Sequence, residues 1–248
     1  MAKPTYKDLL DAGVHFGHLK KKWNPKMQPY IFMERKGIHI IDLNRTLECL
    51  DSAGNALRQI AKSGRKILFV STKKQSREIV VEAARSVEMP YVTERWLGGM
   101  MTNFNTVKKS VKKMNTIDKM LADSTVTTIT KKERLTLTRE RNKLERVLGG
   151  TANLNRLPSA VFIVDISHEH IALSEATKLG MRTIAMVDSN SDPNTVDFPI
   201  PSNDDASNSI KIIVNAMTEA IREGLVERNK AKASKAAEGA APPAAKEQ

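Results

Sequence analysis

A single cysteine, Cys49, in 248 residues excludes any disulfide within the chain and any cluster of cysteines around zinc. Aromatic residues make up only 4% of the chain, which leaves few platforms for stacked bases. No run approaches the roughly 18 consecutive apolar residues of a spanning helix, and no basic helix carries the broad apolar face of a membrane-surface segment. No membrane partner is therefore expected. The sequence also lacks G-x-G-x-x-G, G-x-x-x-x-G-K-[ST] and G-x-S-x-G, which removes the common phosphate loops and the nucleophile elbow. Met1-Ala2-Lys3-Pro4 has no apolar signal region, and Asp8 and Asp11 do not suit an organellar transit peptide, so the expected location is the cytoplasm.

What is present is a core and a surplus of positive charge. Hydrophobic residues form 40% of the chain, enough to bury a sizeable core in one large or two small domains. Lys and Arg number 40 against 28 Asp and Glu, a formal charge of +12. Self-repulsion on that scale does not help a fold, so it points to a polyanionic partner, nucleic acid before an acidic membrane.

The stretch from Glu94 to Phe104 divides the chain. On both sides of it, short apolar runs alternate with amphipathic segments. Thr5 and Asp8 form a capping box for a short helix that Gly13 ends. Residues 30–33 and 38–41 read as a hairpin with Gly37 at its turn, a lid or edge rather than core strands. Asp42 or Asn44 caps a helix through Leu47, Leu50, Ala53, Leu57 and Ile60, with Cys49 beside the stripe as a small buried side chain. Residues 67–70, 161–164 and 183–187 are continuous apolar runs, the pattern of strands covered on both faces, and residues 91–93 and 198–200 offer two shorter ones. Helices bearing Val80 and Ala84, Ala172 and Ala176, and Ile210 through Leu225 alternate with them. The result is an α/β fold, a parallel sheet of about five strands flanked by helices.

Between the two halves lies an arm, residues 104–148. Val107, Val111, Met114, Ile117 and Leu121 make one narrow apolar stripe, and Leu135, Leu137, Leu144, Val147 and Leu148 make a sparser one. Gly98-Gly99 frees the backbone at its entrance, Thr102, Asn103 or Asn105 caps its first helix, and Thr130 with Glu133 restarts a second after the Thr-rich linker 123–129. This reads as an antiparallel coiled-coil hairpin. It holds twelve Lys and Arg against five acids, so +7 of the +12 sits in under a fifth of the chain. A coiled coil that merely paired its own charges would match their signs, so the imbalance favours phosphate binding over a solvated surface.

Chemistry at the carboxyl ends of the strands is the competing reading. Lys73, Asp165 and Asp188 stand where a magnesium-assisted phosphotransfer enzyme on a flavodoxin-like sheet would place its site. The same Ser, Thr and Asp residues also fall where helix caps and turns need them. His15 and His18 have no cysteine or carboxylate close by in sequence to complete a metal set, and packing or RNA contact is the simpler reading for both. The imidazoles of His168 and His170 fall on different sides of a helix and read as structural. No cofactor, no metal and no small-molecule substrate is expected.

Several blocks in register carry a resemblance. They are residues 12–18 (AGVHFGH), 23–27 (WNPKM), 29–32 (PYIF), 37–43 (GIHIIDL), 95–99 (RWLGG) with Thr102-Asn103-Phe104, and Asp204-Asp205 after Ile200-Pro201. Together they resemble the bacterial S-two family of small-subunit ribosomal proteins, from about residue 5 to residue 227, with the arm matching that family's coiled-coil insertion. Ser202, where Gly is usual, implies a slightly different turn, and Asn105, where a basic residue is common, removes one phosphate contact.

The resemblance implies a flavodoxin-like sheet and no catalysis. It also implies a ribosome-bound structural role on 16S ribosomal RNA, among other small-subunit proteins that include the messenger-binding S-one protein. Residues 1–227 are then the globular body, interrupted by 104–148, and 228–248 an Ala, Lys and Pro-rich flexible tail. The candidate RNA-binding residues are Lys20, Lys21, Lys22, Trp23 and Lys26 in the N-terminal segment, with Lys73, Lys74 and Arg95 at strand ends. On the arm they are Lys108, Lys109, Lys112, Lys113, Lys131, Lys132, Arg134, Arg139 and Arg141. Lys and Arg on phosphates would read RNA shape rather than sequence, with Trp23, Trp96 and Tyr30 as possible stacking platforms, although Trp96 beside the glycines reads more simply as a packing residue.

Overall fold

The computed structural model describes residues 4–122 and 130–239. The linker 123–129 and the last nine residues lie outside that range. Thr5 caps α1 (Tyr6–Asp11), with both legs of the capping box formed to Asp8. The chain then pairs three short strands, β1 (Phe16–Leu19), β2 (Ile31–Arg35) and β3 (Ile38–Ile41), into an antiparallel sheet of order β1-β3-β2. Sequence reading found only the β2–β3 hairpin, because β1 is a four-residue edge strand interrupted by Gly17. The two turn residues, Lys36 and Gly37, both have positive φ, as a two-residue turn matching the strand twist requires.

Asp42, not Asn44, caps α2 (Leu43–Lys62) by accepting from the Asn44 backbone N–H. Strands β4 (Ile67–Val70), β5 (Tyr91–Val92), β6 (Ala160–Val164), β7 (Arg182–Val187) and β8 (Phe198–Pro201) form one parallel sheet of order β5-β4-β6-β7-β8. Every strand pairing in it is parallel. Helices α3 (Arg77–Ser86), α6 (His170–Lys178) and α7 (Ser207–Gly239) cover its faces together with α2. Consecutive residues of a strand point to opposite faces, and this divides the core in two. Ile67, Phe69 and Phe162 join α2, α3 and α7 on one side, where the two phenyl rings meet edge to face at 5.4 Å. Leu68, Val70, Val161 and Ile163 face α6 and the root of the arm on the other. Both faces are dry, which is why these strands read as unbroken apolar runs.

The arm is two helices, α4 (Phe104–Ala122) and α5 (Lys131–Leu148), each near 28 Å long at 1.5 Å per residue. Val107, Val111, Leu144, Val147 and Leu148 pack its root onto the second core layer. Met114 and Ile117 are buried but belong to neither layer of the body, so the facing helix covers them. Helix α7 runs twelve residues past Glu227, where the composition change marked a boundary, because Ala and Lys continue a helix readily.

Candidate nucleic-acid interface

One buried carboxylate holds the entrance to the arm. Glu175, on α6, accepts from Trp96 Nε1 at 3.1 Å and Gly99 N at 2.7 Å on one oxygen. Its other oxygen accepts from Met101 N, Thr102 N and Thr102 Oγ1 at 3.0–3.1 Å. Burial opposes its charge, yet the bonds from Thr102, Trp96, Gly99 and Met101 outweigh burial and hold the carboxyl below its usual range. The loop needs such an anchor because Gly99, at φ +87, turns the chain back on itself before Phe104. Asn103 directly precedes the helix and accepts from the Thr106 hydroxyl, while Thr130 caps α5 by accepting from Glu133 N. Nothing in the sequence singled out Glu175, an acid some 75 residues beyond the loop it holds. Trp96 is thereby a packing residue, 8% exposed, and not a stacking platform.

At the far side of the root, Arg146 meets the Glu94 carboxylate at 3.0 Å, and Arg77 approaches the same group at 3.4 Å. Gly150 lets α5 end against β5: a Cβ there would stand 2.2 Å from the Tyr91 carbonyl oxygen. The arm is therefore fixed to the body at three places.

Its charges divide into two sets. Lys113 pairs with Glu140 across the hairpin, and Arg141 pairs with Asp118 at 2.7 Å and also with Glu145. The Asp118 hydrogen bond raises the already high pKa of Arg141. Lys108 donates to the Asn155 carbonyl at 2.7 Å. These three residues serve the hairpin and its root in this structure. Lys109, Lys112, Lys131, Lys132, Arg134 and Arg139 are exposed and form no ion pair among the described residues. Asp118, Glu140 and Glu145 are thus engaged by cations of the hairpin, while these six cations face solvent.

In the N-terminal segment, Lys20 pairs with Glu34 at 2.7 Å and Lys26 with Asp192 at 2.6 Å, while Lys21 and Lys22 are exposed without an ion pair among the described residues. Trp23 is half-buried, its ring 4.9 Å from that of His39. Lys74 and Arg95 come from different loops and line one open cleft with Thr72, Arg77 and Trp96. That cleft lies at the carboxyl end of β4, beside the β4–β6 boundary where the strand order reverses.

Lys73, at the carboxyl end of β4, lies among carboxylates. Its ammonium sits 2.7 Å from Asp165, 2.8 Å from Asp204 and 2.9 Å from Asp205, with its side chain 15% exposed. Burial opposes its charge, but the Asp204 charge and the hydrogen bonds it donates to Asp165, Asp204 and Asp205 hold it firmly protonated. The fold also brings carboxylates to His18, which had none near it in sequence: Nδ1 lies 2.9 Å from Asp188 and Nε2 3.4 Å from Asp205. The Asp188 hydrogen bond raises the His18 pKa against the opposing effect of burial. Asp204 is pushed up to about 7 by burial and by the charges of Asp165 and Asp188. Of the drawn phosphotransfer set, Lys73 and Asp165 do meet, while Asp188 turns to His18. Asp165, at φ +67, caps the next turn by accepting from Ser167 N and His168 N.

A flavodoxin-like α/β body with an inserted basic helical hairpin defines a class of α/β scaffold protein, and among the described residues no helix is long and apolar enough to cross a membrane. Comparison with known proteins makes the assignment particular. A family model described as Ribosomal protein S2 matches residues 9–224. The chain is 61% identical to small ribosomal subunit protein uS2 of Cytophaga hutchinsonii, over 93% of this chain and 91% of that protein. The protein of the same name from Porphyromonas gingivalis is 58% identical over 92% of this chain and 81% of its own, and that from Bacteroides fragilis 55% over 98% and 87%. The chain belongs to the ribosomal protein S2 family, a structural component of the small ribosomal subunit and not an enzyme class.

Proposed function

We propose that this chain binds 16S ribosomal RNA through two basic surfaces held at a fixed angle by the α/β body. One is the solvent face of the arm, carried by Lys109, Lys112, Lys131, Lys132, Arg134 and Arg139. The other is the N-terminal segment with Lys21 and Lys22, continued by Lys74 and Arg95 in the cleft. The observation that carries this reading is the division of charge on the hairpin: Asp118, Glu140 and Glu145 are engaged by Lys113 and Arg141, leaving an exposed face on which six Lys and Arg form no ion pair among the described residues. Such a face gains most from a polyanion, because each phosphate it neutralises releases condensed counterions. Recognition is of RNA shape, since lysines on phosphates carry no base information and Trp96 is buried.

The test replaces Lys109, Lys112, Lys131 and Lys132 with Gln and measures binding to 16S RNA across a salt series. The slope of log affinity against log salt is expected to fall by about 3, at 0.7–0.9 per lost contact. An unchanged slope rejects the arm as the RNA ligand. The body, residues 1–227, also helps seat the S-one protein in this reading. Small subunits reconstituted without the chain are then expected to lose that protein, and retention of it at wild-type level rejects the second role.

A further inference from the structure

The face of the sheet away from the arm's root carries a trough between α2 and α7, about 390 Å³ in volume. Its floor is apolar: Leu50 and Met217 are buried core residues, with Ile212 and Ala216 half-buried beside them. Gly54, Ala216 and Ala220 lack the side-chain bulk to fill it, and the helices cannot part there. A Cβ on Gly54 would stand 3.5 Å from Ala220 Cβ, and one on Gly224 would stand 2.4 Å from the Arg58 carbonyl oxygen. Four carboxylates, those of Asp8, Asp51, Glu219 and Glu223, stand in the lining against one guanidinium, that of Arg58. Arg222 meets Glu219 from outside the lining, and the rim stays acidic on balance, the inverse of the chain's +12.

We infer that this trough docks a basic segment of a neighbouring small-subunit protein, one that sets an apolar side chain on the floor and flanking Lys or Arg against Asp51, Glu219 and Glu223. RNA is the wrong occupant, because the rim would meet its phosphates with like charge. An apolar floor rimmed by charge is the pattern of a protein-binding patch, and an amphipathic segment laid along two helices reaches such a floor with one face. The charge match decides the kind of partner. Proteins held against ribosomal RNA need a surplus of Lys and Arg, and a stretch of them that does not lie on phosphate finds its acceptors here. Arg58 is loosely held, 3.7 Å from Glu223 and 3.3 Å from Asn55 Oδ1, and its Nε has no acceptor among the described residues. It can therefore turn outward and donate to a main-chain carbonyl of the partner. This inference rests on membership of the small subunit and not on the RNA reading of the arm, whose root packs on the opposite face.

The full chain, with the photo-crosslinker p-benzoylphenylalanine replacing the exposed Asn215 at the trough's edge, is assembled into small subunits and irradiated, and the joined peptides are identified by mass spectrometry. The expected product is a Lys- and Arg-rich peptide of another subunit protein. Asp51→Asn combined with Glu223→Gln keeps both side-chain shapes and is expected to lose most of that product per chain incorporated. Ala216→Phe, which fills the floor, is expected to lose it as well. Glu82→Lys, exposed on α3 outside the trough, is expected to leave it unchanged. No product from subunits that contain the chain overturns the proposal, as does a product on 16S RNA, on a second copy, on an acidic peptide or on residues 1–3 of the same chain. So does a product undiminished by the paired neutral substitutions. The arm's RNA contact is read separately from its salt slope, so failure here leaves that reading standing.

Discussion

At the scale of the residue, Glu175 is the side chain on which the arm's direction depends. Five donors converge on a carboxylate 8% exposed, and a neutral amide can accept on only one of its two atoms. Glu175→Gln is expected to cost about 2–4 kcal/mol in denaturant unfolding, the range for charged hydrogen bonds left unmatched. The pH dependence has a definite sign. Because the folded carboxyl lies below its ordinary value of 4.5, its contribution is complete above that pH and is lost as pH falls through the depressed value. Trp96 shares the carboxylate, so its fluorescence is expected to hold through the ordinary carboxyl range and change only below it. Gly150→Ala is expected to destabilise by about 1–3 kcal/mol, since the new methyl meets the Tyr91 backbone, and the loss would be read in thermal melts.

At the scale of the element, the hairpin's charged residues have separable roles. Arg141→Gln removes contacts to Asp118 and Glu145 within the hairpin. It is expected to lower the melting temperature of the arm, followed by helical circular dichroism, while leaving the salt slope of RNA binding nearly unchanged. Lys112→Gln is expected to do the reverse. Sequence reading treated both as equivalent cations, because heptad-like stripes reveal which positions are apolar but not which acid on the facing helix each base will meet. The narrow stripes through Met114 and Ile117 did reveal the hairpin itself, and both residues are buried. The strand β1 stayed hidden for the opposite reason: its four residues are exposed or half-buried, so no apolar alternation marks them.

At the scale of the whole molecule, a positively charged scaffold of a ribosomal family is expected to pellet with small subunits and to be released as salt rises. Cosedimentation checks this, and a chain found in the supernatant at low salt would contradict it. Asp165→Asn is expected to weaken the body around Lys73 without touching the arm's RNA contacts, which a salt series on folded protein would show.

The sequence by itself determined the alternation of buried strands and helices, the insertion of a basic hairpin, and the family, since all three are written in local periodicity, composition and contiguous motifs. Only the tertiary structure decided which cations are free. Lys73 and Lys74 are neighbours in the chain, yet the ammonium of one is held by three carboxylates while the other forms no ion pair among the described residues. Likewise His18 acquires Asp188 and Asp204 from strand ends far along the chain, because a parallel sheet gathers the carboxyl ends of distant strands onto one edge.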